Sequence, residues 1–138
     1  MATIRIRGTW ELSLMIHQFA PSIKSSFAGE ARLVVHSANR AGLNGELRIG
    51  SVGISIRGRV KPGSPAVVTF SEVSREGKPI DGGLEAILYI PPWWPTIDYQ
   101  YDLITGTMTL GQGSSISEMS LKERLISVTG IKPFEEEL

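Results

Sequence analysis

The chain has 138 residues, within the size of one domain, and its 41% hydrophobic and 20% charged residues are a globular balance rather than a disordered or membrane-embedded one. Its 14 basic and 14 acidic residues cancel, so no global field draws it to nucleic acid or anionic lipid; neither partner is expected, while the weak repulsion between copies favours a homo-oligomer. The lack of cysteine excludes disulfide and thiolate chemistry, and with no signal-like N-terminus and no apolar run near about 18 residues the expected location is the cytoplasm.

In chain order, alternation of period two dominates, the mark of strands with one buried and one wetted face. Ile4 and Ile6 alternate with Arg5 and Arg7, and after Gly8 the set Trp10, Leu12, Leu14 and Ile16 alternates with Glu11, Ser13, Met15 and His17. The irregular stretch from Phe19 to Gly29 reads as a loop over one end. Strands then follow at Leu33 to Val35, at Leu47 and Ile49, at Ile54 and Ile56, and at Val68 and Phe70. Further runs are Leu84 to Ile90, Ile97 with Tyr99 and Tyr101, and Met108 with Leu110.

Turn chemistry is expected at Asn44-Gly45, Lys61 to Pro65, Arg75 to Pro79, Asp81-Gly82-Gly83 and Thr105-Gly106. Gly53 and Gly58 fall within strands, where they permit a bend. Near the C-terminus, Ser115 to Glu118 has capping-box spacing with Leu121, Leu125 and Val128 on one helical face, yet Leu125 to Ile131 reads equally as a last strand. Pro133 and the glutamates after it form a tail. About eight strands joined by short connections predict an all-β, antiparallel up-and-down barrel occupying residues 1–138 as a single domain, with a short C-terminal helix or a further strand; a two-sheet sandwich is the alternative.

Gly8-Thr9-Trp10 at the head of a long first strand resembles the opening of the calycins, the avidins and lipocalins, which begin eight-stranded barrels with Gly-x-Trp. The resemblance covers these three residues and the strand count. It implies that Trp10 closes the barrel floor while the opposite mouth admits a small molecule. The residues that follow, Glu11-Leu12-Ser13-Leu14, supply little of the polar set with which avidins hold biotin, and Trp93 and Trp94 stand in a proline cluster rather than on strands.

Three other features carry chemistry. Ile90-Pro91-Pro92-Trp93-Trp94-Pro95 presents two indoles on a stiffened backbone, either as a rigid connection capping the core or as a lid or partner-binding anchor. Tyr99 and Tyr101 share a face with Ile97, as core residues with hydroxyls at the rim or as groups orienting a ligand. His17 and His36 are the only histidines, with no spacing that points to a metal or a proton shuttle, and the sequence has no nucleophile elbow and no phosphate loop. Arg5, Arg7, Arg48, Arg57 and Arg59 lack the interleaved aromatics of a nucleic-acid groove and read as solvated surface.

These readings leave no catalytic residue, metal or cofactor implied. The leading expectation is a non-enzymatic barrel that holds a small apolar or heterocyclic ligand among Trp10, Leu12, Leu14, Tyr99 and Tyr101, covered by Trp93 and Trp94. The first alternative is a structural, oligomerising protein with a filled barrel, for which a filled interior would decide. The second is a cyclase- or isomerase-like enzyme, which requires a buried ionisable group in the cavity.

Overall fold

The computed structural model describes residues 6–17, 27–92, 94–97, 102–116 and 121–133. Eight strands follow one another: β1(Gly8–Ile16), β2(Phe27–Asn39), β3(Gly42–Ile49), β4(Val52–Lys61), β5(Ala66–Val73), β6(Leu84–Ile90), β7(Asp102–Leu110) and β8(Leu125–Lys132). Each pairs antiparallel with the next, and β8 pairs with β1 through Leu12↔Gly130 and Leu14↔Val128, closing the barrel. Closure removes every free edge, so no ladder is left to pair with another chain. The registers accumulate to a shear of about ten residues per circuit, which tilts eight strands by roughly 40° and leaves an interior that side chains can fill.

The alternation in sequence becomes the inside and outside of this barrel. Trp10, Leu12 and Leu14 of β1, Leu33 and Val35 of β2, and Val68 and Phe70 of β5 point inward and are buried, as do Leu84, Leu88 and Ile90 of β6. Together with inward residues of the other strands they form one continuous apolar cluster. Ile6 joins it just before β1, and Ile116 and Leu121 join it from the connection between β7 and β8.

The barrel has two unlike ends. At the first are the start of β1, the turns between β2 and β3 and between β4 and β5, the β6–β7 connection and the end of β8. At the second are the β1–β2, β3–β4, β5–β6 and β7–β8 connections. We call these the Trp10 end and the Glu72 end after the side chains buried there.

Several expectations need correction. Asn44-Gly45 and Thr105-Gly106 are not turns but lie inside β3 and β7. The reason is close approach. A Cβ on Gly45 would overlap the Val34 carbonyl of the neighbouring strand, and one on Gly106 the Ile87 carbonyl. Glycine here lets a strongly coiled strand bend inward against its neighbour. The turn before β3 is instead made by Asn39, whose Oδ1 accepts the Ala41 N–H at 2.8 Å.

Gly29, expected in a loop, is within β2, and residues 18–26 lie outside the described part. Leu125 to Ile131 is a strand, β8, and no helix occurs among the described residues of the 115–131 stretch. Ile97 precedes β7 instead of belonging to a strand.

Candidate functional site

Trp10, Leu12 and Leu14 occupy successive inward positions of β1, 0 to 2% exposed, against Leu33, Ala31 and Gly29 of β2 and against Gly130 and Val128 of β8. Trp94 is on the β6–β7 connection at the Trp10 end and is 62% exposed. Trp93, Tyr99 and Tyr101 lie outside the described residues, as do Arg5 and Asp98. The structure therefore brings the three β1 residues together in the interior and leaves Trp94 at the surface.

The Trp10 end is held shut by hydrogen bonds and by a cation over an aromatic face. The Trp10 indole Nε1–H donates to the Ile6 carbonyl at 2.9 Å, which pins the segment before β1 across the opening. Lys132, near the end of β8, places its Nζ 5.4 Å from the centre of the indole ring and donates to the Arg7 carbonyl at 3.1 Å. Asp102 Oδ2 lies 3.7 Å from the same Nζ, so the first residue of β7 is tied into this closure.

The Glu72 end carries a group that the sequence reading did not single out. Glu72 is 1% exposed, and its carboxylate is fully engaged. Oε1 accepts the Leu84 N–H at 3.1 Å and the Ser114 hydroxyl at 2.6 Å, while Oε2 accepts the Ser115 N–H at 2.9 Å. Ser114 Oγ in turn accepts the Ile116 N–H at 3.1 Å. The carboxylate thus staples the β7–β8 connection over the open end and brings Ile116 and Leu121 onto the core. Among the described residues no buried side-chain polar atom lacks a hydrogen-bond partner, so this charge is compensated by fixed donors rather than poised for a substrate.

Cavities among the described residues lie outside the apolar interior. One, of about 530 Å³, is a groove on the outer face, floored by Thr69 and Ser71 of β5 and walled by Arg57 and Arg59 of β4 and by Glu85 and Ile87 of β6. Another, of about 730 Å³, is a cleft at the Glu72 end between the β5–β6 connection and Gly111, Glu123 and Arg124. His17 Nε2 hydrogen-bonds Ser127 Oγ at 2.6 Å on the exposed surface, and His36 is exposed on β2. No group of three or more His, Asp or Glu among the described residues is arranged to hold a metal ion.

The arginines do not gather into a groove of their own. Arg48 pairs with Glu46, and Arg32 with Glu11 at 3.1 Å, in exposed ion pairs on β1, β2 and β3. Arg57 reaches the Gly77 carbonyl at 3.5 Å, and Arg59 lines the outer groove beside it. Comparison of the chain with protein-family models, with curated proteins and with solved structures gives no match to any of them.

Proposed function

We propose that this protein is a calycin-type barrel with a filled interior, which acts through its outer surface as a structural, self-assembling protein and not as an enzyme. One observation carries the reading: the inward side chains form a single apolar cluster from Ile6 at one end to Leu121 at the other. Among the described residues, the only carboxylate buried with them has both oxygens committed to backbone and serine donors. A catalytic acid or base needs a free oxygen within reach of substrate, and Glu72 offers none. The calycin assignment is supported by Trp10, which follows Gly8 and closes the floor of an eight-stranded barrel, as the Gly-x-Trp resemblance implies.

The polarity of the barrel also argues for a protein surrounded by water. A membrane-spanning barrel is apolar around its whole outer band and polar inside. This one is apolar inside, and the outer faces of β2, β3 and β4 carry exposed Arg32, Arg48, Arg57 and Arg59.

A second reading, a small apolar ligand held in the interior, draws on the all-apolar lining and on the cleft beside Glu72, which would be the mouth opposite the Trp10 floor. Titration of tryptophan fluorescence with a panel of small apolar and heterocyclic molecules, read beside the mass in solution, separates the two. The filled-barrel reading expects no saturable response from a stable oligomer. A saturable response from a monomer overturns it in favour of the ligand barrel.

A further inference from the structure

All the large hydrophobic side chains that stand exposed among the described residues fall on one side of the molecule. Ile87 and Tyr89 are on β6, Leu103 on β7, Leu125 and Ile131 on β8, and Trp94 and Ile97 on the connection between β6 and β7. Exposed apolar residues scattered singly need no explanation, but a set confined to three adjacent strands and their linker does. Between them the outward positions carry small hydroxyl residues. Thr105 faces Thr129, and Thr107 faces Ser127, across the β7–β8 ladder.

Charge is arranged in the complementary way. On the outer face of β6, β7 and β8 the only charge away from the strand ends is Glu85, near one corner; Asp102 and Lys132, at the ends of β7 and β8, are half-buried and face each other. The ion pairs Arg32–Glu11 and Arg48–Glu46, with Arg57 and Arg59, sit on β1 to β4, and Glu123 and Arg124 stand at the rim just before β8. The outward positions along the middle of β6, β7 and β8 are thus uncharged, with charge held to the rim of this face and to β1 to β4.

We propose that the outer face of β6, β7 and β8 is the contact between two copies of this chain. The inference rests on the self-assembly reading above and names the surface that reading requires. A two-fold interface sets the same patch against itself, so any charge near the axis would meet its own copy. The absence of charge across the middle of this face meets that condition, and the zero net charge of the chain gives two copies no long-range repulsion to overcome. Large and small side chains alternate on this face, Ile87 beside Thr107 and Leu103 beside Thr105, as interdigitation between two packed faces requires.

Sedimentation velocity of the full chain over a concentration series tests this. The wild type is expected at twice its 15.0 kDa chain mass. Thr107→Arg, at the centre of the face, would set two guanidinium groups against each other and is expected to raise the concentration needed for the dimer by at least about tenfold. Ser55→Arg, outward on β4, is expected to leave the dimer intact. Ile87→Lys is the second probe if Thr107→Arg fails to fold, and far-UV circular dichroism of each variant establishes folding. A wild type that stays monomeric throughout overturns the self-assembly reading itself. A dimer that survives both Thr107→Arg and Ile87→Lys overturns this face and leaves self-assembly standing.

Discussion

Replacing Glu72 by glutamine preserves the size and shape of the side chain while turning one acceptor oxygen into a donor. In either orientation of the amide, an NH2 group then faces a hydrogen already pointing inward, the Ser115 N–H at the Oε2 position or the Leu84 N–H and Ser114 hydroxyl at the Oε1 position. Ser114 can turn to accept the amide NH2 on its second lone pair, but its own hydrogen then loses its acceptor and the Leu84 N–H is still unpaired. At least one buried donor is left unsatisfied at a cost of about 1 to 3 kcal/mol, and the remaining bonds lose their charge assistance, worth roughly half their strength. Relief of the desolvation of the carboxylate offsets part of this. The net expectation is a loss of about 2 to 3 kcal/mol, a large share of the roughly 5 to 15 kcal/mol available to a domain. Urea unfolding followed by circular dichroism gives the number, and hydrogen exchange at the Ser115 amide shows whether the staple has opened. A loss below about 0.5 kcal/mol with the Ser115 amide still protected would refute the idea that Glu72 holds this end shut.

Other expectations follow from the same geometry. Gly106→Ala drives a Cβ into the Ile87 carbonyl and the Leu88 Cα, so it should cost at least about 2 kcal/mol in urea unfolding; a neutral result would show that β7 does not bend inward there. Lys132→Met keeps the alkyl stem but removes the cation over Trp10 and the bond to the Arg7 carbonyl; a loss of about 1 to 2 kcal/mol and a red-shifted Trp10 emission are expected, and an unchanged spectrum would count against the clamp.

Much of the barrel was legible because inward and outward positions alternate without exception over long runs. Leu84, Ala86, Leu88 and Ile90 against Glu85, Ile87 and Tyr89 could belong only to a strand buried on one face, and the structure places them so. Glycine misled the reading of Asn44-Gly45 and Thr105-Gly106, since the same residue that permits a tight turn also permits close approach of two strands. Which of the two applies depends on the neighbouring strand, and local sequence does not contain it.

Glu72 was within reach. It takes the next inward position after Val68 and Phe70, and a carboxylate on the core face of a strand announces a buried hydrogen-bonding role. Its partners, Ser114 and Ser115, are some forty residues on and become neighbours only when β7 and β8 close the barrel. The apolar face of β6 to β8 was hidden for a related reason. Each strand looks ordinary alone, and the patch of exposed apolar side chains appears once the three lie side by side.

The most direct test of a filled interior is the cost of emptying its middle. Leu88, at 0% exposure, sits opposite Val68 and Gly106 at the centre of β6. In a packed barrel Leu88→Ala leaves a cavity and should lower the urea unfolding free energy by about 3 kcal/mol or more, with no gain of small-molecule binding in the wild type to explain it away. A loss below about 1 kcal/mol, together with saturable binding of an apolar probe by the wild type, would mean that Leu88 lines a space instead of filling one, and would contradict the account.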